Sequence, residues 1–212
     1  MLKVSVDLDK WLDEYPWYRD VLDVLDDYQE GPETAALWTP WKGGLWMKER
    51  VCEIAEVCAE RFPGDFIEIG AYLGQTTRGL AEVAREHDRR VVVIDPWDPD
   101  SLCCQGWEYN VFLRSIRGYS DIIDVYRLSS FEDEAIEIIE GRELAFAFVD
   151  GLHIYEAALS DIKACAHCHG VIAVDDLPNC IDVWDAFMEG VEVTRRVPLW
   201  RKYHREGYLL PR

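Results

Sequence analysis

Positive charge is what this sequence most lacks: 22 Lys plus Arg stand against 41 Asp plus Glu, a formal net charge of -19 over 212 residues. So acidic a surface repels phosphodiester backbones and anionic headgroups. That excludes general binding to nucleic acid or to an anionic membrane, although a local pocket can oppose the global field. No apolar run reaches the length of a membrane span, and the opening MLKVSVDLDKW lacks the basic-then-apolar order of a secretion signal. A disulfide framework is missing too. The seven Cys show no pairing pattern, so reduced thiols and a cytoplasmic setting are expected. Of the Cys-rich stretches, Cys103-Cys104 and Cys165-Ala-His-Cys168-His169, only the second has C-x-x-C spacing. It has no matching second half, which favours buried thiols over structural zinc.

What is present is apolar material: 49% hydrophobic residues, 12% aromatic, with nine Trp. No repeat or low-complexity linker divides the chain. Residues 1–45 read as an N-terminal cap or interface segment carrying Trp11, Trp17, Trp38, Trp41 and Trp46. Such a preface covers a substrate cleft or makes a homo-oligomer contact, and the sequence does not choose between them. Residues 46–212 read as one cofactor-binding domain. Arg195, Arg196, Arg201, Lys202, Arg205 and Arg212 cluster near the C-terminus as a contact for substrate or partner, or as a solvated face.

The periodicity then alternates. A loop at 39–44 precedes a helix over 45–61, with Val51, Ile54, Ala55 and Cys58 on one apolar face. Apolar strands follow at Phe66–Gly70, Val91–Asp95, Ile122–Leu128, Leu144–Val149 and Val171–Val174. Between and after them helices are expected at Gln75–Glu86, 106–117, 131–140, Tyr155–Ala166 and around Val183–Met188. Val191–Val197 and Tyr208–Leu210 form a candidate antiparallel edge. Strand–helix alternation of this length predicts a Rossmann-like α/β sandwich, a mostly parallel sheet with helices on both faces.

The turn in Asp65-Phe-Ile-Glu-Ile-Gly-Ala-Tyr-Leu-Gly-Gln-Thr-Thr77 is the most informative stretch. Gly70 and Gly74 allow close backbone approach to a ligand, at the carboxyl edge of the sheet where such folds bind. Glu68 suits a polar or cationic portion of that ligand. Asp95, ending the next strand, is placed to accept both hydroxyls of a ribose. Ser129, Ser130 and Phe131 follow the third strand and suit an adenine-side wall. The tight G-x-G-x-x-G of dinucleotide sites and the G-x-x-x-x-G-K-[ST] of phosphate-binding loops are both missing. Those absences favour S-adenosyl-L-methionine over NAD or ATP.

FIEIGAYLGQTT resembles the first cofactor motif of the class I S-adenosylmethionine-dependent methyltransferases, and VVVIDPW their ribose-binding strand end. The resemblance covers about residues 60–180. It implies a seven-stranded sheet with a C-terminal antiparallel strand. It also implies cofactor contacts from Glu68, Gly70, Ala71, Tyr72, Gly74, Thr76, Asp95, Ser129, Ser130 and Asp150.

A second constellation lies in the later strand ends. Asp150 ends the fourth strand; Asp175 and Asp176 end the fifth. On neighbouring strands these three carboxylates share the edge of Gly70 and Asp95, where their repulsion calls for a cation, hydrogen bonds or protonation. Oxygen-rich ligation favours Mg²⁺, with Mn²⁺ or Ca²⁺ as alternatives. His153, three residues past Asp150, has the proton affinity of a general base near neutral pH, and Tyr155 is a candidate pocket wall.

DGLHIYEAALSDI followed by VIAVDDL resembles a metal-dependent small-molecule branch that includes macrolide-sugar O-methyltransferases and cephalosporin-hydroxylase-like proteins. That likeness implies Asp150, Asp175 and Asp176 as metal ligands and His153 as the base. Catechol-type enzymes carry Asn where Asp176 stands and use Lys as base, which favours a vicinal-hydroxyl sugar or related metabolite. The expectation is metal-assisted O-methylation of a small hydroxylated metabolite. The alternatives are a noncatalytic cofactor-binding or interaction protein and a hydroxylase- or hydrolase-like relative. Trp97 and Trp107 join the preface Trp residues as candidates to shape the acceptor pocket.

Overall fold

The computed structural model describes residues 12–27, 40–99, 104–201 and 204–212, without the side chains of 27 and 40–47. Trp11, Trp38, Cys103 and Lys202, and the side chains of Trp41 and Trp46, lie outside the described residues. In order come α1 (Tyr18–Asp27), α2 (Pro40–Ala59), β1 (Asp65–Ile69), α3 (Gln75–Glu86), β2 (Val91–Ile94) and α4 (Glu108–Ser115). Then follow β3 (Ile123–Tyr126), α5 (Asp133–Glu140), β4 (Leu144–Val149), α6 (Tyr155–Ala164), β5 (Val171–Val174), α7 (Ile181–Thr194), β6 (Val197–Trp200) and β7 (Gly207–Leu210).

The seven strands form one sheet in the order β3-β2-β1-β4-β5-β7-β6. The pairs from β3 through β5 are all parallel, while β7 runs antiparallel to both β5 and β6. This is the expected sandwich, a mostly parallel sheet with one reversed C-terminal strand.

Side-chain alternation divides the interior into two cores. Phe66, Val91, Val93, Phe146, Phe148, Val171 and Tyr208 pack with α1, α2 and α3. Ile67, Ile69, Val92, Ile94, Ala147, Ile172 and Leu209 pack with α5, α6 and α7. Because β1 buries both faces, Glu68 takes the same side as Phe66 and is forced inside toward α3.

Three sequence expectations give way. Pro40 to Gly44 lie inside α2, not in a loop; Pro is tolerated in a first helical turn because its missing N–H has no partner there anyway. Val191 to Thr194 continue α7, so the edge begins only at Val197. The reversed strand β7 is internal, and β6 is the edge. In addition, α2 runs unbroken through residue 45, and α1 buries Tyr18, Val21 and Leu25 in the first core. The basic C-terminal residues do not form one face: Arg196 is buried and bonds the carbonyls of Gly170 (2.6 Å) and Leu209 (3.2 Å), whereas Arg201 pairs at the surface with Asp26. Cys165 and Cys168 are buried free thiols, as the sequence suggested.

Candidate active site

Four central strands end in one row. Their ladder continues one residue beyond each strand: Asp95 N–H donates to Tyr126 O (3.2 Å), Gly70 N–H to Ile94 O (2.9 Å), Asp150 N–H to Ile69 O (2.8 Å) and Asp175 N–H to Val149 O (3.0 Å). Asp95, Gly70, Asp150 and Asp175 are thereby set side by side, one strand spacing apart, across the point where the strand order reverses between β1 and β4. Open α/β sheets bind ligands in that crevice.

The turn after β1 is held by its neighbours. Asp95 Oδ2 accepts the backbone N–H groups of Ala71 and Tyr72, both at 2.8 Å, and Oδ1 accepts that of Trp97 at 2.7 Å. The Trp97 indole N–H donates back to Tyr72 O (2.7 Å), and the ring is buried against Tyr109 and Phe112. Ser115 Oγ lies 2.8 Å from Leu73 O. These contacts fix Tyr72 at a φ of 47°, with its ring half exposed over the edge. Sequence reading missed Ser115, whose role depends on α4 folding back over the turn.

The reason for the glycines also changes. A Cβ on Gly70 (φ +87°) would stand 2.0 Å from Asp150 O; one on Gly74 (φ +79°) would stand 2.4 Å from Ser115 Oγ. The protein's own atoms demand both glycines. Asp95, for its part, already accepts three backbone N–H groups, so of the roughly four lone-pair sites of a carboxylate only one remains, on Oδ1. The expectation that it takes both ribose hydroxyls directly does not fit this arrangement.

Glu68 is buried and accepts the Thr77 hydroxyl. Burial pushes its carboxyl up to about 8 against the Thr77 bond, with the charges of Asp150 and Asp95 adding to the rise. Thr77, not Thr76, thus reaches the buried acid; Thr76 lies in the first turn of α3, which starts at Gly74 without a side-chain cap. On the other flank, the Ser129 N–H donates to Glu132 Oε1 (2.7 Å) in the turn that leads into α5. Beside them Asp161, buried in α6, is raised to about 7 by burial, which the Ser130 hydroxyl opposes. Phe131 is exposed and does not pack into the helix start.

Asp150, Asp175 and Asp176 do converge. His153 Nε2 lies 3.2 Å from Asp150 Oδ1 and its Nδ1 3.4 Å from Asp176 Oδ2. The Asp150 hydrogen bond first, then the charges of Asp150 and Asp176, hold the imidazole above its ordinary value despite partial burial. Burial raises Asp150, and it raises Asp175 further, with the neighbouring Asp150 charge next in weight. The other basic side chain in the cluster is Arg205, whose Nη2 lies 2.7 Å from both Asp175 Oδ2 and Asp176 Oδ1. Among the described residues, no three His, Cys, Asp or Glu side chains are arranged to hold a metal ion. The carboxylates are spaced by His153 and Arg205. Asp175 Oδ1 is nevertheless buried without a hydrogen-bond partner.

Tyr155 turns away from this cluster, its hydroxyl bonding Glu189 on α7. Exposed apolar side chains stand on the connections leaving the strands' carboxyl ends, at Tyr72, Trp107, Phe131, Leu152 and Ile154, and Ile181 is exposed at the start of α7. A groove of about 410 Å³ between α2 and α3, lined by Glu49, Glu53, Glu82 and Glu86 among others, contains none of the residues above.

A reversed seventh strand and a crevice at the strand-order reversal define an open α/β fold of the kind that binds ligands at the carboxyl ends of its strands. Residues 67–177, just over half of the chain, match the model of a methyltransferase domain family, and the chain belongs to that family. None of the curated proteins matches the sequence. Among solved structures, the fold resembles CalS11, a TDP-rhamnose 3'-O-methyltransferase of calicheamicin biosynthesis (14% identity, 93% of this chain and 94% of the other, TM-score 0.58). It also resembles the O-methyltransferase NovP (18%, 77% and 78%, 0.62). A third is a Bacillus cereus O-methyltransferase in complex with S-adenosylhomocysteine (15%, 100% and 100%, 0.53). At these identities the likeness is one of fold. No described helix is long and apolar enough to cross a membrane.

Proposed function

We propose that the protein is an S-adenosylmethionine-dependent O-methyltransferase that methylates a hydroxyl of a small metabolite, with help from a divalent cation. The observation that carries this reading is the single row of Asp95, Gly70, Asp150 and Asp175 at the strand-order reversal, with His153 set between Asp150 of that row and the adjoining Asp176. The methyltransferase family and the sugar and small-molecule O-methyltransferases of like fold support it.

When bound, the cofactor supplies a methyl group on a cationic sulfur, and a divalent ion supplies a Lewis acid for the acceptor oxygen. Glu68 lies below the Gly70 turn as the acid for the cofactor's cationic portion. The uncapped amino end of α3 suits its carboxylate. Asp95, through Oδ1, takes one ribose hydroxyl; Ser129 and Ser130 bound the adenine side, with the exposed Phe131 ring beside them. Carboxylate oxygens are the ligands a hard divalent cation prefers, and Asp150, Asp175 and Asp176 would be its donors; as they stand, His153 and Arg205 occupy the space between them and the three are not arranged to hold one. His153 would take the acceptor's proton, and the cofactor, when bound, would supply the methyl carbon to the acceptor oxygen and keep the C–S electron pair on its sulfur. The exposed apolar side chains of the edge suit a small organic acceptor better than a highly charged one.

Calorimetry and product analysis test the reading together. S-adenosylmethionine should bind, and Asp95→Ala should weaken that binding at least tenfold. Across a panel of hydroxylated metabolites, a methylated product should form and His153→Ala should lower kcat more than it raises KM. Tight NAD binding, or cofactor binding with no methylated product from any hydroxyl acceptor, sinks it.

A further inference from the structure

The turn between β1 and α3 is pinned from several sides. Asp95 takes the N–H groups of Ala71 and Tyr72, the Trp97 indole holds Tyr72 O, and Ala71 O takes the Gly74 N–H (2.7 Å). The remaining pin is Ser115, near the end of α4. Its Oγ lies 2.7 Å from Phe112 O, the bond a helical serine commonly makes back to its own preceding turn. It also lies 2.8 Å from Leu73 O, 42 residues away along the chain, so one proton serves both carbonyls. Both partners are shaped for this contact. Gly74 lacks the Cβ that would stand 2.4 Å from Ser115 Oγ and 2.8 Å from Phe112 Cδ2. Phe112 in turn packs on the buried Trp97 ring, centroids 4.5 Å apart, which seats α4 on the turn.

We propose that Ser115 is a positioning residue for the amino-acid end of the cofactor, acting through the Leu73–Gly74 peptide that leads into α3. This rests on the cofactor reading above, in which the amino end of α3 suits the cofactor's carboxylate. A planar trans peptide fixes its C=O and N–H in opposite directions. The Leu73–Gly74 peptide is therefore gripped at both ends, its C=O by Ser115 and its N–H by Ala71 O. Gly74 follows at φ +79° with no side-chain cap for α3, so this grip sets where the first helical turn begins. Without the hydroxyl, Leu73 O loses its donor, and a partly buried carbonyl without a partner turns toward water. That rotation carries the start of α3 with it. The adenosine end depends on other groups, Asp95, Ser129 and Ser130, none of which Ser115 touches. Loss of Ser115 should thus weaken the hold on one end of the cofactor and spare the other.

The experiment is calorimetric titration of the full chain with two probes. One is S-adenosylhomocysteine; the other is 5'-methylthioadenosine, which keeps the adenosine and sulfur but lacks the amino-acid end. Ser115→Ala should weaken S-adenosylhomocysteine binding about fivefold, the effect of one lost hydrogen bond. It should leave 5'-methylthioadenosine binding unchanged, which also shows that the variant is folded. Ser115→Thr keeps the hydroxyl and should bind both probes as the native protein does. Native affinity for S-adenosylhomocysteine in Ser115→Ala overturns the proposal. Equal weakening of both probes overturns it too, since Ser115 would then support the whole crevice, and so does a threonine variant as weak as the alanine one. A native protein that binds neither probe sinks the cofactor reading itself, an outcome distinct from a native protein that binds both while Ser115→Ala shows no split.

Discussion

Glu68 shows how one residue can be placed by a rule that has nothing to do with its charge. The period of β1 carries it inside with Phe66, and burial lifts its carboxyl to about 8 from the ordinary 4.5. Between those two values the unfolded chain has released the proton and the folded chain still holds it. Rising pH therefore favours the unfolded state, and stability falls as pH climbs from 4.5 toward 8, with no further loss beyond. The loss from this group alone is roughly 3 kcal/mol by neutral pH, at about 1.4 kcal/mol per pKa unit. Glu68→Gln should retain the Thr77 partner and remove that slope. Urea unfolding of the cofactor-free protein between pH 5 and 8 measures it directly. Asp161, raised to about 7, leaves a slope of the same sign in the variant, one that ends near pH 7. Parallel pH profiles for native and variant proteins would contradict the buried neutral acid.

At the scale of elements, the turn after β1 is where two strands and a helix meet, and Gly70 is their closest contact. Any side chain there meets Asp150 O at 2.0 Å and must adopt φ +87° as well. Gly70→Ala should cost about 3 kcal/mol, from backbone strain plus overpacking. Because Asp150 must shift to relieve the clash, the variant should also lose cofactor affinity and His153 orientation together. Denaturation and calorimetry on the same preparation check this, and a variant of native stability would show that the two strand ends are not in contact. The strands and helices around this turn were legible in the sequence because buried parallel strands read as continuous apolar runs, as Val91–Ile94 and Leu144–Val149 do. The strand-end acids were legible for the same reason: a carboxylate that closes an apolar run stands out. What was hidden depends on distant packing. Ser115 reaches the turn only because α4 folds over it, and Arg205 reaches Asp175 only because β7 inserts between β5 and β6. In the sequence Arg205 is one basic residue in a basic tail.

For the whole molecule, the link that matters is the buried pair between Arg50 and Glu206, 156 residues apart along the chain. It ties α2, beside the N-terminal segment, to the strand that presents Arg205. Both side chains are essentially inaccessible, and Tyr208 adds a third bond. Ion pairs at such depth return little net stability over an apolar replacement, yet removing one partner strands the other's charge. Arg50→Met should therefore destabilise the protein by about 3–5 kcal/mol. Arg50→Met combined with Glu206→Gln should recover much of that loss, since the buried charge is gone and Tyr208 keeps a partner. Chemical denaturation of the four proteins of the cycle separates the outcomes. Additive stability losses would mean that the two residues do not act as a pair.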